Sequence, residues 1–327
     1  VPQLIALAYS LLVGVGALFA LTRDSDSDSA NTSTISAGDS TTTESSAATA
    51  TSAAATTSTP STETTTPAGD LRIVSLSATA TEMLFAIDAG DFVIAVDEQS
   101  NYPPEAPTQS DLSGFEPNLE AIAAYEPSLV VISYDPGDFQ AGLEALGIEV
   151  LVQPAAATVD DTYAQIEQLG GVTGNVAESA ALVLSMQTDI EEILTGVDES
   201  VEMNFYHELG DQLYSASSSS FIGQLYTMVG LTNIADEADP DGYGYPQLSA
   251  EYILEQDPDL IFLADTVCCG QSQDTLTDRP GWDELTAVQT NGVVPLDDDI
   301  ASRWGPRIVE LLDSIVSAVN ELQPAEA

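Results

Sequence analysis

After residue 70 the hydrophobic positions of this chain switch period repeatedly. Runs that are apolar almost throughout, RIVSLS at 72–77 and FVIAVDE at 92–98, have the pattern of strands buried on both faces. Between them ATATEMLFAI at 78–87 reads as a helix. PNLEAIAAYEPSLVVIS at 117–133 predicts a short helix over 119–125, a proline, and a strand over 129–133. AGLEALGI then reads as a helix and EVLVQP as a strand. VAESAALVLSMQTDIEEIL at 176–194 places Val176, Ala180, Val183, Ile190 and Leu194 at helical spacing, with Gln187 as a polar break. Such a helix would be about 28 Å long. GGVTG at 170–174, just before it, reads as a turn.

The alternation then restarts. VEMNFYHEL reads as a strand and FIGQLYTMVG as a helix. LSAEYILEQDPDLIFLA at 248–264 is again a short helix, a proline and a strand. NGVVPLD is a late strand, and IVELLDSIVSAVNEL at 308–322 is an amphipathic closing helix. Strands alternating with helices predict an α/β fold with parallel sheets. The layout is an N-terminal α/β lobe at 71–172, a connecting helix at 173–198 and a similar α/β lobe at 199–327. The helix–proline–strand stretch occurs once in each half. Glu120 stands seven residues before Pro127, Glu251 seven before Pro258, and the two glutamates are 131 residues apart. That spacing far exceeds the period of a solenoid repeat, so the echo relates two lobes.

The first 70 residues differ in kind. Residues 4–22 are uninterruptedly apolar and are expected to be a signal peptide or an N-terminal membrane anchor. No cysteine follows to accept a lipid. Residues 23–70 are rich in Ser, Thr, Ala and Asp, with almost no large apolar side chain to offset the entropy of ordering. They are expected to form a disordered linker whose ends stand about 40 Å apart. Both features place the lobes outside the cytoplasm, tethered at the extracellular face of the membrane or secreted.

Charge narrows the partners. The chain has 53 Asp and Glu against five arginines, one histidine and no lysine. Nucleic-acid binding is excluded as an expectation, because duplex affinity comes largely from Lys and Arg on phosphates. The acidic, lysine-free surface suits a saline milieu. The two cysteines, Cys268 and Cys269, are adjacent, so no disulfide framework links distant parts of the chain. They fall in VCCGQSQ, read as a loop, where a vicinal disulfide is expected to shape the rim of the site.

Catalytic motifs are missing. A phosphate-binding loop needs a lysine, and no G-x-S-x-G or strand-borne G-x-G-x-x-G occurs. His207-Glu208 lacks the second histidine of a zinc-protease helix, and one histidine is too few for a bare transition-metal site. The chain is read as a non-enzyme without cofactor or resident metal; a secreted α/β hydrolase is the alternative from another class.

RIVSLSATATEMLFAIDAGDFVIAV, NYPPEAP, PNLEAIAAYEPSLVVIS, FIGQLYTMVGLTNIA, YPQLSAEYILEQDPDLIFLAD, RPGW and WGPRIVE, in that order, resemble the substrate-binding proteins of ABC importers, in the class that binds cobalamin and ferric siderophores. The resemblance spans residues 71–322. It implies two lobes joined by one rigid helix, a ligand cleft between them, and a monomer that delivers its cargo to a membrane permease. It implies that Glu120 and Glu251 pair with permease arginines, a two-point clamp of charge-assisted contacts. Read without it, each is an ordinary first-turn acid favoured by the helix dipole.

The class implies a small-molecule ligand: a corrinoid, a ferric siderophore or, as the alternative, haem. Ligand contacts are expected on loops at the C-terminal ends of strands. Tyr102, Phe115, Tyr134, Tyr245, Arg303 and Trp304 fall at such positions. An aromatic-lined cleft suits a large, flat ligand, and Arg303 would meet a carboxylate or phosphate. His207, with neighbouring Tyr206, would ligate haem iron. The plainer readings are turn packing for Tyr102 and Tyr245, cohesion of the lobe for Arg307, and a hydrogen-bonded core residue for His207.

Overall fold

The computed structural model describes residues 71–197 and 202–322. The expected membrane segment and linker lie outside the described residues. In the N-terminal lobe, β1 (Ile73–Leu76), β2 (Val93–Val96), β3 (Leu129–Ile132) and β4 (Glu149–Val152) form one parallel sheet in the order β2-β1-β3-β4. In the C-terminal lobe, β5 (Asn204–Glu208), β6 (Thr232–Asn233), β7 (Leu260–Leu263) and β8 (Val293–Pro295) repeat it as β6-β5-β7-β8. Ile73 pairs with Leu129 in the first sheet and Phe205 with Leu260 in the second, so the registers correspond.

Crossover helices join the strands. They are α1 (Ala78–Ala86), α2 (Leu119–Ala123), α3 (Phe139–Ala145) and α4 (Val159–Thr173) in the first lobe. The connecting helix is α5 (Val176–Thr195). The second lobe carries α6 (Phe221–Val229), α7 (Ala250–Gln256), the short α8 (Thr266–Cys269), α9 (Gln273–Thr277), α10 (Thr286–Gln289) and α11 (Asp298–Ser302), and closes with α12 (Ile308–Leu322). Serines open the helix after the first strand of each lobe. Ser77 Oγ accepts the Ala80 N–H at 3.2 Å, and Ser220 Oγ accepts the Gly223 N–H at 2.9 Å.

Two sequence expectations change here. GGVTG is not a free turn: Gly170 and Gly171 lie within the last turns of α4, which ends at the left-handed Gly174. A Cβ on Gly170 would run into the Ser179 side chain of α5, so glycine lets the two helices close on each other. In α5 the buried stripe is Ser179, Val183, Met186 and Ile190, whereas Val176 is exposed. The apolar stripe expected from Val176 is therefore rotated on the helix.

Strand side chains alternate between two cores with the period of two that pleating imposes. In β1 and β3, Val74, Val130 and Ile132 face a core private to the N-terminal lobe, with Ile122 and Leu143. In β5 and β7, Tyr206, Ile261 and Leu263 face a private C-terminal core around Ile253 and Trp282. The opposite faces belong to one larger cluster, in which Ile73, Leu129, Phe205 and Phe262 join Met83, Leu169, Val183, Met186, Ile315 and Val319. The lobes thus share an apolar layer that includes α4, α5 and α12. Opening the molecule wide would expose it, at a cost of about 25 cal/mol per Å² of apolar surface, so wide opening is opposed.

Candidate binding cleft and docking surface

Parallel sheets end in loops at the carboxyl ends of their strands, and here these loops of the two lobes meet. The loop after β2 contacts the segment after β8. Asn101 Nδ2 donates to Asp299 Oδ2 at 2.8 Å, and Arg303 Nη2 donates to the Gln99 carbonyl at 3.0 Å and to Asn101 Oδ1 at 2.9 Å. Trp304 Nε1 donates to Gln165 Oε1 of α4 at 3.0 Å, and its carbonyl accepts the Thr162 hydroxyl at 3.0 Å. Gln224 of α6 donates to the Ala157 carbonyl after β4 at 2.6 Å.

The strongest tie is ionic. Glu82, buried on α1, accepts from Arg303 Nη1 at 2.6 Å and from Arg307 at 2.5 and 3.0 Å. Arg303 also pairs with Asp299 at 2.6 Å. Arg303, expected to meet a ligand, is therefore buried and spent on joining the lobes. Arg307 was read as holding its own lobe together; it holds the two lobes to each other.

Tyr102 is 41 % exposed, with the Arg307 guanidinium 4.2 Å above its ring. Tyr134 is 42 % exposed, and its hydroxyl donates to the Phe115 carbonyl at 3.1 Å, so these two expected residues are in contact. Phe115 also lines a shallow surface depression with Glu120 and Phe139. Tyr245 and Trp304 are half-buried against the shared core. A further aromatic, Tyr243, is 67 % exposed on the loop after β6. Asp239 holds that loop by accepting the N–H groups of Tyr243 and Gly244, both at 2.8 Å. GYGYP, with glycines beside both tyrosines, was the sequence signal for it.

His207 does not reach the cleft. It is the penultimate residue of β5, points into the shared core, and is fully buried with Nδ1 2.7 Å from the Tyr226 hydroxyl. Burial lowers its pKa to about 3, which keeps it neutral. Tyr206 is equally buried, edge-on to Trp282. Neither is placed to ligate haem iron, because strand alternation sends both into packed cores.

One polar cluster escaped the sequence reading. Glu208, fully buried at the end of β5, accepts both arms of Arg279 at 2.6 and 2.7 Å. Arg279 belongs to the RPGW stretch and stacks 4.5 Å over Trp282. Asp265, fully buried after β7, has neither carboxylate oxygen hydrogen-bonded to another described residue. Burial first, and nearby Glu208 second, raise its pKa to about 8, so it is held as the neutral acid at pH 7. Cys268 and Cys269 lie in the single turn of α8 and not in a loop, and their sulfurs are bonded. Asp298 fixes that turn, accepting the Val267 and Cys268 N–H groups at 3.0 and 2.6 Å.

Glu120 and Glu251 occupy matching places. Each is exposed, second in the helix that leads into the third strand of its lobe. Asn118 Oδ1 caps α2 through the Glu120 N–H at 2.9 Å, and Ser249 Oγ caps α7 through the Tyr252 N–H at 3.2 Å. Past each helix, the residue before the proline is left-handed: Glu126 at φ 52° and Asp257 at φ 42°. A helix that crosses back to start a parallel strand begins at the strands' carboxyl ends, so both glutamates stand at the cleft end of their lobes. Neither has an ion-pair partner among the described residues.

The periplasmic binding protein family matches residues 73–300. An ABC transporter substrate-binding lipoprotein of Bacillus subtilis, YvrC, is 26% identical over 257 residues, covering 76% of this chain and 79% of its own. A cobalamin-binding protein of Halobacterium salinarum is 29% identical over 263 residues, covering 76% and 69%. The haem-binding protein RhuT of Roseiflexus superimposes with a TM-score of 0.68 at 22% identity, over 78% of this chain and all of RhuT. The two-lobed fold and the family match together define the class: solute-binding proteins with two parallel α/β lobes. The chain belongs to the periplasmic binding protein family.

Proposed function

We propose that the chain captures a corrinoid or ferric-siderophore ligand between its lobes, outside the cell, and presents it to a membrane permease through Glu120 and Glu251. The observation that carries this reading is the matching placement of two exposed glutamates, one per lobe, without ion-pair partners among the described residues and at the same end of the molecule. Two separated carboxylates fix the orientation of a docked body as one cannot, and exposed charges steer encounter more than they add affinity. Tyr102, Phe115, Tyr134, Tyr245 and Trp304 supply aromatic surface for the ligand, with Tyr243 added. Nothing in this role calls for a bond to be made or broken. The apolar segment at 4–22 and the linker at 23–70 would keep the lobes near the permease.

Glu120→Arg and Glu251→Arg test the docking role. Uptake by cells carrying the importer should fall at least about tenfold in either variant, while ligand affinity of the purified protein stays within about twofold. Unchanged uptake, or a collapse of ligand affinity, would remove the assignment.

A further inference from the structure

We infer that the cleft selects ligands without net negative charge, such as a corrinoid or a hydroxamate-type ferric chelate, and discriminates against haem and ferric catecholates. The inference rests on the solute-binding reading above and specifies its ligand. It follows from where the positive charge has gone. The chain contains no lysine. Every arginine among the described residues is already engaged. Arg72, at the opposite end of the first sheet, donates to the Tyr125 and Glu126 carbonyls at 2.7 and 2.9 Å. Arg279 is locked on Glu208 in the C-terminal lobe. Arg303 and Arg307, the two that stand where the lobes meet, both clasp buried Glu82. Releasing either for a ligand would leave Glu82 short of a partner in a dry site.

The charged side chains left free on the strand-end loops are negative. Glu116, Asp135, Asp138, Asp211, Asp241 and Asp297 are exposed on them. A carboxylate or catecholate entering between such loops gives up water and gains no counter-charge, while like charges repel it. A neutral ligand meets no such penalty. Tyr134 and Tyr243 present apolar ring area to it, and their ring faces also attract a cation, while Tyr102 already carries Arg307 over one face.

The test is a titration of the full chain, at low and at molar salt, with four probes: vitamin B12, a cationic ferric hydroxamate, haem and a ferric tris-catecholate. At least one of the first two should bind, and both anions at least about tenfold more weakly, with the gap narrowing as salt screens it. Glu82→Gln, which frees Arg303 and Arg307 from their shared carboxylate, should raise affinity for the anionic probes at least about threefold. Asp299→Asn, which removes the charge of the part-exposed partner that Arg303 and Asn101 share, should act in the same direction and keeps the test open if the first variant misfolds. Haem or the catecholate binding the unaltered protein as tightly as the neutral and cationic probes would overturn the inference and leave the solute-binding reading intact. Failure of all four to bind would overturn the solute-binding reading itself, and this inference with it.

Discussion

The two lobes share a sheet order and a strand register, yet they treat the end of the central strand in opposite ways. Positions 75 and 76 of β1 correspond to 207 and 208 of β5, since Ile73 and Phe205 hold the same place in their ladders. The N-terminal lobe puts Ser75 and Leu76 there. The serine is satisfied within a small hydroxyl network with Thr81, and the leucine enters the private core. The C-terminal lobe puts His207 and Glu208 there, both fully buried. Glu208 then requires Arg279, and Asp265 beside them is held neutral. A buried ion pair recovers its desolvation cost only when its geometry is good, which makes this lobe the more brittle of the two. Equal topology therefore does not imply equal sensitivity: the N-terminal sheet is held by packing, the C-terminal sheet by packing plus a buried charge network.

The largest test of that contrast is Arg279→Met. It leaves Glu208 without its partner in the core, and unfolding free energy should fall by about 3–5 kcal/mol in chemical denaturation. Adding Glu208→Leu should recover most of the loss, because an apolar pair of similar volume is often neutral or stabilising there. A small loss in the single variant would show that the network is not what distinguishes the lobes.

Acidity gives the next test. Asp265 has its pKa raised from 3.8 to about 8, so the folded state holds a proton that the unfolded chain releases above pH about 4. Its stabilising contribution is fully present below that value and is lost as pH rises toward 8. His207 works the other way: its pKa falls from 6.5 to about 3, so its contribution is lost as pH drops below 6.5. The two oppose each other from about 4 to 6.5, and from about 6.5 to 8 Asp265 stands alone. Stability should decline over that upper window, and Asp265→Asn should flatten the decline. A profile that is level from pH 6.5 to 8 in the unaltered protein would contradict the assignment.

The smallest test concerns the features in which the lobes agree. Asn118→Ala and Ser249→Ala each remove an equivalent helix cap and should each cost about 1 kcal/mol. A large difference between them would show that the repeated helices are not energetically alike despite their matching places.

Much of this architecture was legible in the chain. The connecting helix starts at Val176 and the closing helix spans Ile308–Leu322, as their periodicity predicted, because long amphipathic stripes leave a strong signal. Helix α4 was missed. Its paired glycines read as a turn, although Thr158 and Asp161 form a capping box and marked its start. The glycines serve contact with α5, which no local pattern reveals. Tyr102, Tyr134 and Tyr245 lie on loops that follow strands, as their sequence positions predicted. The burial of His207 was not, because a strand-end position leaves open whether a side chain faces the cleft or the core.

By itself the sequence determined the two-lobed α/β plan, the placement of Glu120 and Glu251, and the scarcity of positive charge. Periodicity, turn chemistry and composition are local or additive properties, so they can be read without coordinates. Only the tertiary structure decided where that scarce charge is used. Arg303 and Glu82 are 221 residues apart in sequence, and Arg279 and Glu208 are 71 apart. Such pairings depend on how the two sheets are brought together over a shared core, and that arrangement turns Arg303, expected to meet a ligand, into a tie between the lobes.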